Sequence, residues 1–321
     1  MFRNIMVPID GSSFSKEAVI QGLRIASNSG ATLRLVRVGS VPAFVGVGGS
    51  DGVELENDRM KKMYSAELTE LYSIAAECRA GSTVNVTASL QRGPVADALI
   101  GYAKRHRVDL IVMRSHARSG LARAWFGSVA DTLIRESGIP VLVVRQPSIA
   151  TALESGFRFQ RILVPLDGSV LAEQALAPAA ALARLNGASI SLLGVVKPTS
   201  KRDFGELEST IGPAGANHVD DVKRYLDSLM EAETLKGIPA LRRLVVADDI
   251  AETILSNAFT GEMDLIAIAT RGRGAIPRAA SGSVSDQVMR EANVSVLVVH
   301  PEIRAVQRAE HEDGQLISAT A

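Results

Sequence analysis

The stretch from Ala269 to Ser283, ATRGRGAIPRAASGS, carries glycines at 272, 274 and 282, arginines at 271, 273 and 278, and a terminal Gly-Ser pair. Glycines permit positive φ and let backbone N–H groups approach an anion closely. A Gly-Ser pair at the entry to a helix adds the exposed N–H groups of the first turn and a hydroxyl donor. A loop of this kind can cradle a phosphate. Its arginines can neutralise that phosphate through charge-assisted contacts, or they can form the solvated face of a surface loop; the residue types leave both readings open. Residues 114–128, RSHARSGLARAWFGS, stand at the same place in an earlier copy of the pattern, where Gly127 and Ser128 remain and the leading positions are Arg114 and Ala117. There Arg118 and Arg123 read as solvated, while Ser115, His116 and Arg118 still offer donors for a different anion contact.

A second candidate is the aspartate that follows the first apolar run of each copy, Asp10 and Asp167. A carboxylate there can accept hydrogen bonds from an adenine amino group or a ribose hydroxyl. The plainer reading is an Asp-Gly turn that caps the next helix. Other chemistries lack their residues. Gly48-Gly49-Ser50-Asp51-Gly52 fits G-x-S-x-G by letter, without the strand-then-helix context of a nucleophile elbow. No G-x-x-x-x-G-K-[ST] occurs, which removes an ordinary P-loop NTPase. The histidines at 106, 116, 218, 300 and 311 show no metal-ligand spacing, so no metal site and no catalytic residue is assigned. Cys78, near the end of an amphipathic helix, reads as inert.

The elements that must position these loops occur twice. RNIMVPIDGS (3–12) matches RILVPLDGS (161–169), VDLIVMRS (108–115) matches MDLIAIAT (263–270), and FGSVADTLIRESGIPVLVVR (126–145) matches SGSVSDQVMREANVSVLVVH (281–300). A repeat this long means a duplicated domain. In the first copy, apolar runs at 5–9, 33–38, 84–88, 110–113 and 141–144 alternate with helical patterns at 13–28, 58–79, 95–106 and 128–136. Short apolar runs separated by helices predict parallel strands buried on both faces. Ser12 or Ser13 is placed to cap the first helix and Gly30 to end it, and Ser169 and Gly187 repeat the arrangement. In the helix 58–79, Met60, Met63, Tyr64, Leu68, Leu71 and Ala75 form a core-facing stripe. The expected fold is α/β: two tandem, doubly wound, five-stranded parallel-sheet domains of Rossmann-like type, at 1–145 and 161–300. A linker at 146–160 joins them and a polar tail at 301–321 is expected to fray. The loops 39–57 and 197–217 follow the second strand of each copy and should emerge at the carboxyl edge of the sheet, where open parallel sheets bind ligands. They read as lids or as mobile insertions.

Bulk composition agrees with a globular pair. The 321 residues suggest about two domains. Hydrophobic residues make up 46%, and 35 basic residues balance 35 acidic ones, which speaks against a nucleic-acid binder. Aromatics are only 4%, too few for base-stacking platforms. A single cysteine excludes an internal disulfide and suits a reducing cytoplasm. The N-terminus has too short an apolar stretch for a signal peptide, and no window approaches a membrane span.

Pro-x-Asp-Gly-Ser at 8–12 and 165–169, Asp-Leu-Ile at 109–111 and 264–266, and Gly-Ser-Val at 127–129 and 282–284 ahead of Val-Leu-Val-Val resemble the universal stress protein family, as a tandem pair. The resemblance spans about residues 2–145 and 160–300. It implies a five-stranded parallel sheet, dimerisation of such domains through the last strand (which a tandem chain can achieve internally), and a stress-response role. In one branch it also implies binding of an adenine nucleotide through G-x-x-G-x9-G-[ST]. Laid on the second copy, that motif falls on Ala269, Gly272, Gly282 and Ser283; laid on the first, on Arg114, Ala117, Gly127 and Ser128. A non-glycine residue forced into left-handed geometry costs roughly 1–2 kcal/mol, and a side chain at 114 projects where ribose or phosphate would lie. The second copy is therefore the better site. The resemblance implies that Pro165, Asp167, Val195, Ala269, Arg271, Gly272, Gly282, Ser283 and Val284 hold ATP or a related adenine nucleotide. Pro8, Asp10, Val38, Gly127, Ser128 and Val129 form a weaker counterpart, and Mg²⁺ can arrive with the nucleotide. The expected protein is a binding or regulatory one rather than an enzyme, with slow ATP hydrolysis left open. Homo-oligomerisation is also left open, and so is the reading from another class, a nucleotide-free scaffold. An S-G-G-x-D-S or H-x-G-H signature of a nucleotidyl-transferring enzyme is absent.

Overall fold

The computed structural model describes residues 2–39, 50–114, 127–145, 158–198, 214–270 and 284–300, with backbone alone for the helical residues 13–14, 50–61 and 214–218. These fall into two compact units, the first ending at Val144 and the second starting at Arg145.

The first unit runs β1 (Asn4–Ile9), α1 (Ser13–Ser29), β2 (Thr32–Val38), α2 (Ser50–Ala80), β3 (Val86–Gln91), α3 (Val95–Arg105), β4 (Leu110–Arg114), α4 (Ser128–Glu136) and β5 (Val141–Val144). The second runs β6 (Arg161–Leu166), α5 (Val170–Glu173), α6 (Leu176–Asn186), β7 (Ser189–Val196), α7 (Ala214–Glu231), a 3-10 turn (Glu233–Leu235), β8 (Ala240–Val246), α8 (Ile250–Thr260), β9 (Leu265–Ala269), α9 (Val284–Glu291) and β10 (Ser295–Val299). Strand order is β3-β2-β1-β4-β5 in the first and β8-β7-β6-β9-β10 in the second. The strand pairs within each unit are parallel. Registers match as well: Val7 faces Leu35 as Val164 faces Leu192, and Ile5 faces Leu110 as Ile162 faces Leu265. Each sheet thus reverses its order between the first and fourth strands, and a cleft opens outside their carboxyl ends.

Burial follows from the sequence runs. Ile5, Met6, Val7, Leu33, Leu35, Leu110, Ile111 and Val112 are fully enclosed, as are Ile162, Leu163, Val164, Ile190, Leu192 and Leu265. Such strands bury both faces, so their apolar residues run on rather than alternate. At the opposite, amino edge, the aspartate of each Asp-Leu-Ile segment ties down the first strand. Asp109 accepts from the Arg3 and Asn4 N–H groups at 2.7 and 3.1 Å. Asp264 accepts from those of Gln160 and Arg161 at 2.7 and 2.8 Å. Phe2 and Phe159 are buried just ahead of the two strands.

Three elements differ from the sequence expectation. The third strand starts at Val86 and runs to Gln91, because an edge strand of mixed residues shows no apolar run to mark it. Helix α2 begins at Ser50, inside what reads as a loop; Glu54, Leu55 and Glu56 are good helix formers and override Gly52. Along that helix Leu71 and Ala75 are fully buried, whereas Met63 is exposed. The first helix of the second copy is split into α5 and α6, where α1 is continuous. Pro178 explains the break: its ring conflicts with the carbonyl four residues back, at Gln174, and it has no N–H to donate. The caps match. Ser12 and Ser169 accept from the Ser15 and Ala172 N–H groups at 3.3 and 3.1 Å, and Gly30 and Gly187 close their helices in the left-handed region. Of the two loops read as lids, residues 40–49 and 199–213 lie outside the described residues.

Candidate functional site

Both sheets leave their first strand through the same turn. Asp10 Oδ1 accepts from the Ser12 N–H at 2.9 Å and the Ser12 hydroxyl at 2.6 Å; Asp167 Oδ1 accepts from the Ser169 N–H at 3.0 Å and its hydroxyl at 2.6 Å. Gly11 and Gly168 sit at φ +80° and +82°, a region that a side chain strains, and this is why the turn reads Asp-Gly-Ser. The capping reading of the aspartates therefore holds. Both carboxylates nevertheless stay exposed at the carboxyl edge, beside the switch point.

In the first unit that edge encloses a cavity of about 350 Å³, within the usual range for small-molecule sites. Pro8, Asp10 and Val38 line one side; Gly127, Ser128 and Val129 line the other, so the cavity gathers the first-copy residues singled out above. Helix α4 starts there with no side-chain cap on its first N–H groups. Val36, Leu99 and Met113 supply apolar wall.

Three charged side chains also line it, of which the sequence reading marked only position 114: Arg37, Glu67 and Arg114. Arg37, on β2, pairs with Glu70 at 2.5 Å and Glu67 at 3.6 Å, both on α2, and its guanidinium lies 3.3 Å from where a Cβ on Gly11 would stand. Arg114, at the end of β4, pairs with Glu17 on α1. Arg37, Glu67 and Arg114 are about 15% exposed or less. A signal for Arg37 existed: it interrupts the apolar run of β2 next to Val38, at the strand end that faces the ligand edge.

In the second unit the structure places five of the nine sequence-predicted residues. Pro165 lies in β6, Val195 near the end of β7, Ala269 at the last position of β9 and Val284 at the first of α9, all half-buried; Asp167 is exposed. Arg271, Gly272, Gly282 and Ser283 lie outside the described residues. Thr270, just past Ala269, is buried, and its N–H donates to the Val299 carbonyl at 2.9 Å. Sequence reading did not single out Tyr225 on α7. Its hydroxyl donates to Glu173 Oε1 at 3.0 Å. Burial, the Glu173 hydrogen bond and the negative charges of Glu173 and Asp167 hold its phenol well above the usual tyrosine range. Among the described residues no group of three His, Cys, Asp or Glu is arranged to hold a metal ion. No described helix is long and apolar enough to cross a membrane.

Comparison with known proteins fits this duplicated architecture. The universal stress protein family model matches residues 1–145 and again 158–300. The chain belongs to the universal stress protein family, in a tandem arrangement. A universal stress protein of Mycobacterium tuberculosis is 24% identical over 316 residues, covering 92% of this chain and 94% of its own length. One from Methanocaldococcus jannaschii is 31% identical over 147 residues, 46% of this chain and 84% of that protein. Among solved structures, a universal stress protein from Archaeoglobus fulgidus superposes with a TM-score of 0.68 at 19% identity, covering 92% of this chain and 98% of the other. The fold is thus shared over most of the chain with a solved universal stress protein.

Proposed function

We propose that this tandem universal stress protein binds ATP or a related adenine nucleotide, chiefly in its C-terminal domain (161–300), and acts as a regulatory binding protein in a cytoplasmic stress response. The N-terminal domain (1–145) is a degenerate copy joined by a linker at 146–160. The observation that carries this reading is Ala269. The last residue of β9 is the smallest side chain available, at the strand end beside the switch point, where the first copy has an arginine.

The residues present suit a nucleotide. Asp167 spends Oδ1 on the Ser169 cap, which leaves its other oxygen for a ribose hydroxyl or an adenine amino group. Pro165 and Val195 provide apolar wall. Val284 opens α9, whose first-turn N–H groups favour a phosphate. Gly272, Gly282 and Ser283 precede it in sequence, with Arg271 as a charge partner. Any Mg²⁺ would come with the nucleotide, and the bound phosphates would supply its ligands. No side chain is assigned as general base, and the role is binding rather than turnover, with slow ATP hydrolysis left open.

The test is mass spectrometry of ligands released from gently purified protein, with a parallel ATP titration. An adenine nucleotide that copurifies, or that binds below millimolar concentration, supports the reading. Neither would leave the nucleotide-free scaffold as the function.

A further inference from the structure

The strand registers allow the two edges to be matched position by position. Arg37 faces Ile9 as Gly194 faces Leu166, so Gly194 is the second-copy counterpart of Arg37. Leu71 and Leu226 are the fully buried anchors of α2 and α7. Counting back from them sets Val222 against Glu67 and Tyr225 against Glu70. Contacts agree with this count: a Cβ on Gly194 would meet Val222 at 2.8 Å and Leu226 at 3.2 Å, while Arg37 reaches Glu67 and Glu70. Arg114 and Ala269 each end the fourth strand of their unit. Glu17 and Gln174 each lie five residues after the helix cap, at Ser12 and Ser169.

Two exchanges follow, and each is a matched set. Arg37 with Glu67 and Glu70 becomes Gly194 with Val222 and Tyr225. Arg114 with Glu17 becomes Ala269 with Gln174. In both, the arginine and its acids disappear together, so no second-copy carboxylate is left facing a lost cation. In the first unit Arg37 and Arg114 both line the ligand cavity, together with Asp10, Val38, Gly127 and Ser128. They do not act as bare cations awaiting a phosphate. Among the described residues Arg37 pairs with Glu67 and Glu70, and Arg114 with Glu17, so both cations are already compensated within their own domain. A polyphosphate entering there would have to displace partly buried ion pairs and leave carboxylates unpaired, which is costly at low exposure.

We infer that Arg37 and Arg114, each held by carboxylates of its own domain, close the N-terminal site to nucleotide phosphate, and that these paired exchanges are the determinant that assigns nucleotide to the C-terminal domain. The inference rests on the proposed function, and the test separates the two. Calorimetric ATP titration counts sites per chain in the full-length protein, in a Gly282→Val chain, and in a Gly282→Val chain carrying the second-copy residues Glu17→Gln, Arg37→Gly, Glu67→Val, Arg114→Ala and Ala117→Gly, with the solvent-exposed Glu70 left in place. One site, none and one site, in that order, is the expected result, and Ala117→Gly alone in the Gly282→Val background adds none. The converse chain, Gln174→Glu with Ala269→Arg, loses affinity by on the order of a hundredfold, close to 2.8 kcal/mol. It decides the matter if circular dichroism shows that the fivefold variant does not fold. Two sites in the unaltered protein, no added site in a folded fivefold variant, or full binding in the converse chain would each overturn the inference. No site in the unaltered protein but one in the fivefold variant would sink the proposed function, overturn the assignment to the C-terminal domain, and leave standing only the closure of the N-terminal site by Arg37 and Arg114.

Discussion

Asp10 and Asp167 hold their turns through the same pair of bonds to Ser12 and Ser169, at distances that agree within 0.1 Å. Beyond that turn the two domains part company: the first carries arginine–carboxylate pairs at its ligand edge, and the matching positions of the second are Gly194, Ala269 and Tyr225. Scaffold was retained where a change would break backbone hydrogen bonds, and exchanged where a ligand would sit. That contrast teaches that duplicated folds diverge by sets of contacting residues, because a lone buried charge is far costlier than a pair or none.

Gly282→Val should weaken ATP binding the most, by roughly a hundredfold or more. Gly127→Val, in a domain closed to nucleotide, should shift affinity by less than about twofold. Equal losses measured by calorimetry would show the two sites to be equivalent and break the comparison. Next in size are the retained aspartates. Asp109→Ala and Asp264→Ala each strand two strand-edge N–H groups, and each should cost about 2 kcal/mol in denaturant unfolding while leaving the ATP affinity of the folded protein unchanged. A large cost in one domain alone would show that the shared scaffold is less equivalent than its geometry.

The smaller stability cost belongs to the second copy alone. Tyr225→Phe removes one hydroxyl–carboxylate bond and should cost about 1 kcal/mol at neutral pH. The Tyr225 phenol is raised in the folded state, so its contribution is complete below the ordinary tyrosine range and is lost as the pH climbs through the folded value. Unfolding curves of the variant and the parent should therefore converge in strong alkali. A constant gap across pH would place the effect in ring packing instead.

Much of the scaffold was legible beforehand. β1, β2, β4 and β5, the Ser12 and Ser169 caps, and the Gly30 and Gly187 stops follow from apolar runs and turn chemistry within a few residues. Misreadings came where the local signal was weak or contradictory. β3 is an edge strand of mixed polarity, and the start of α2 carries a glycine that argues against helix. Asp-Leu-Ile was legible as a motif and not as a mechanism. Its aspartate works at the amino edge, on the backbone of the first strand, far along the chain from its own position.

What the sequence determined by itself was therefore the duplication, the alternation of buried strands with helices, and the Asp-Gly-Ser turns with their helix caps. All of these depend on neighbours in the chain or on comparing one copy with the other. Tertiary structure alone decided that Arg37 meets Glu67 and Glu70, that Arg114 meets Glu17, and that Tyr225 turns to Glu173. Those partners lie on different elements, tens of residues apart, and no local periodicity encodes them. Only when parallel strands bring their carboxyl ends to one edge do these side chains meet, and only then does the charge that closes one site and spares the other become visible.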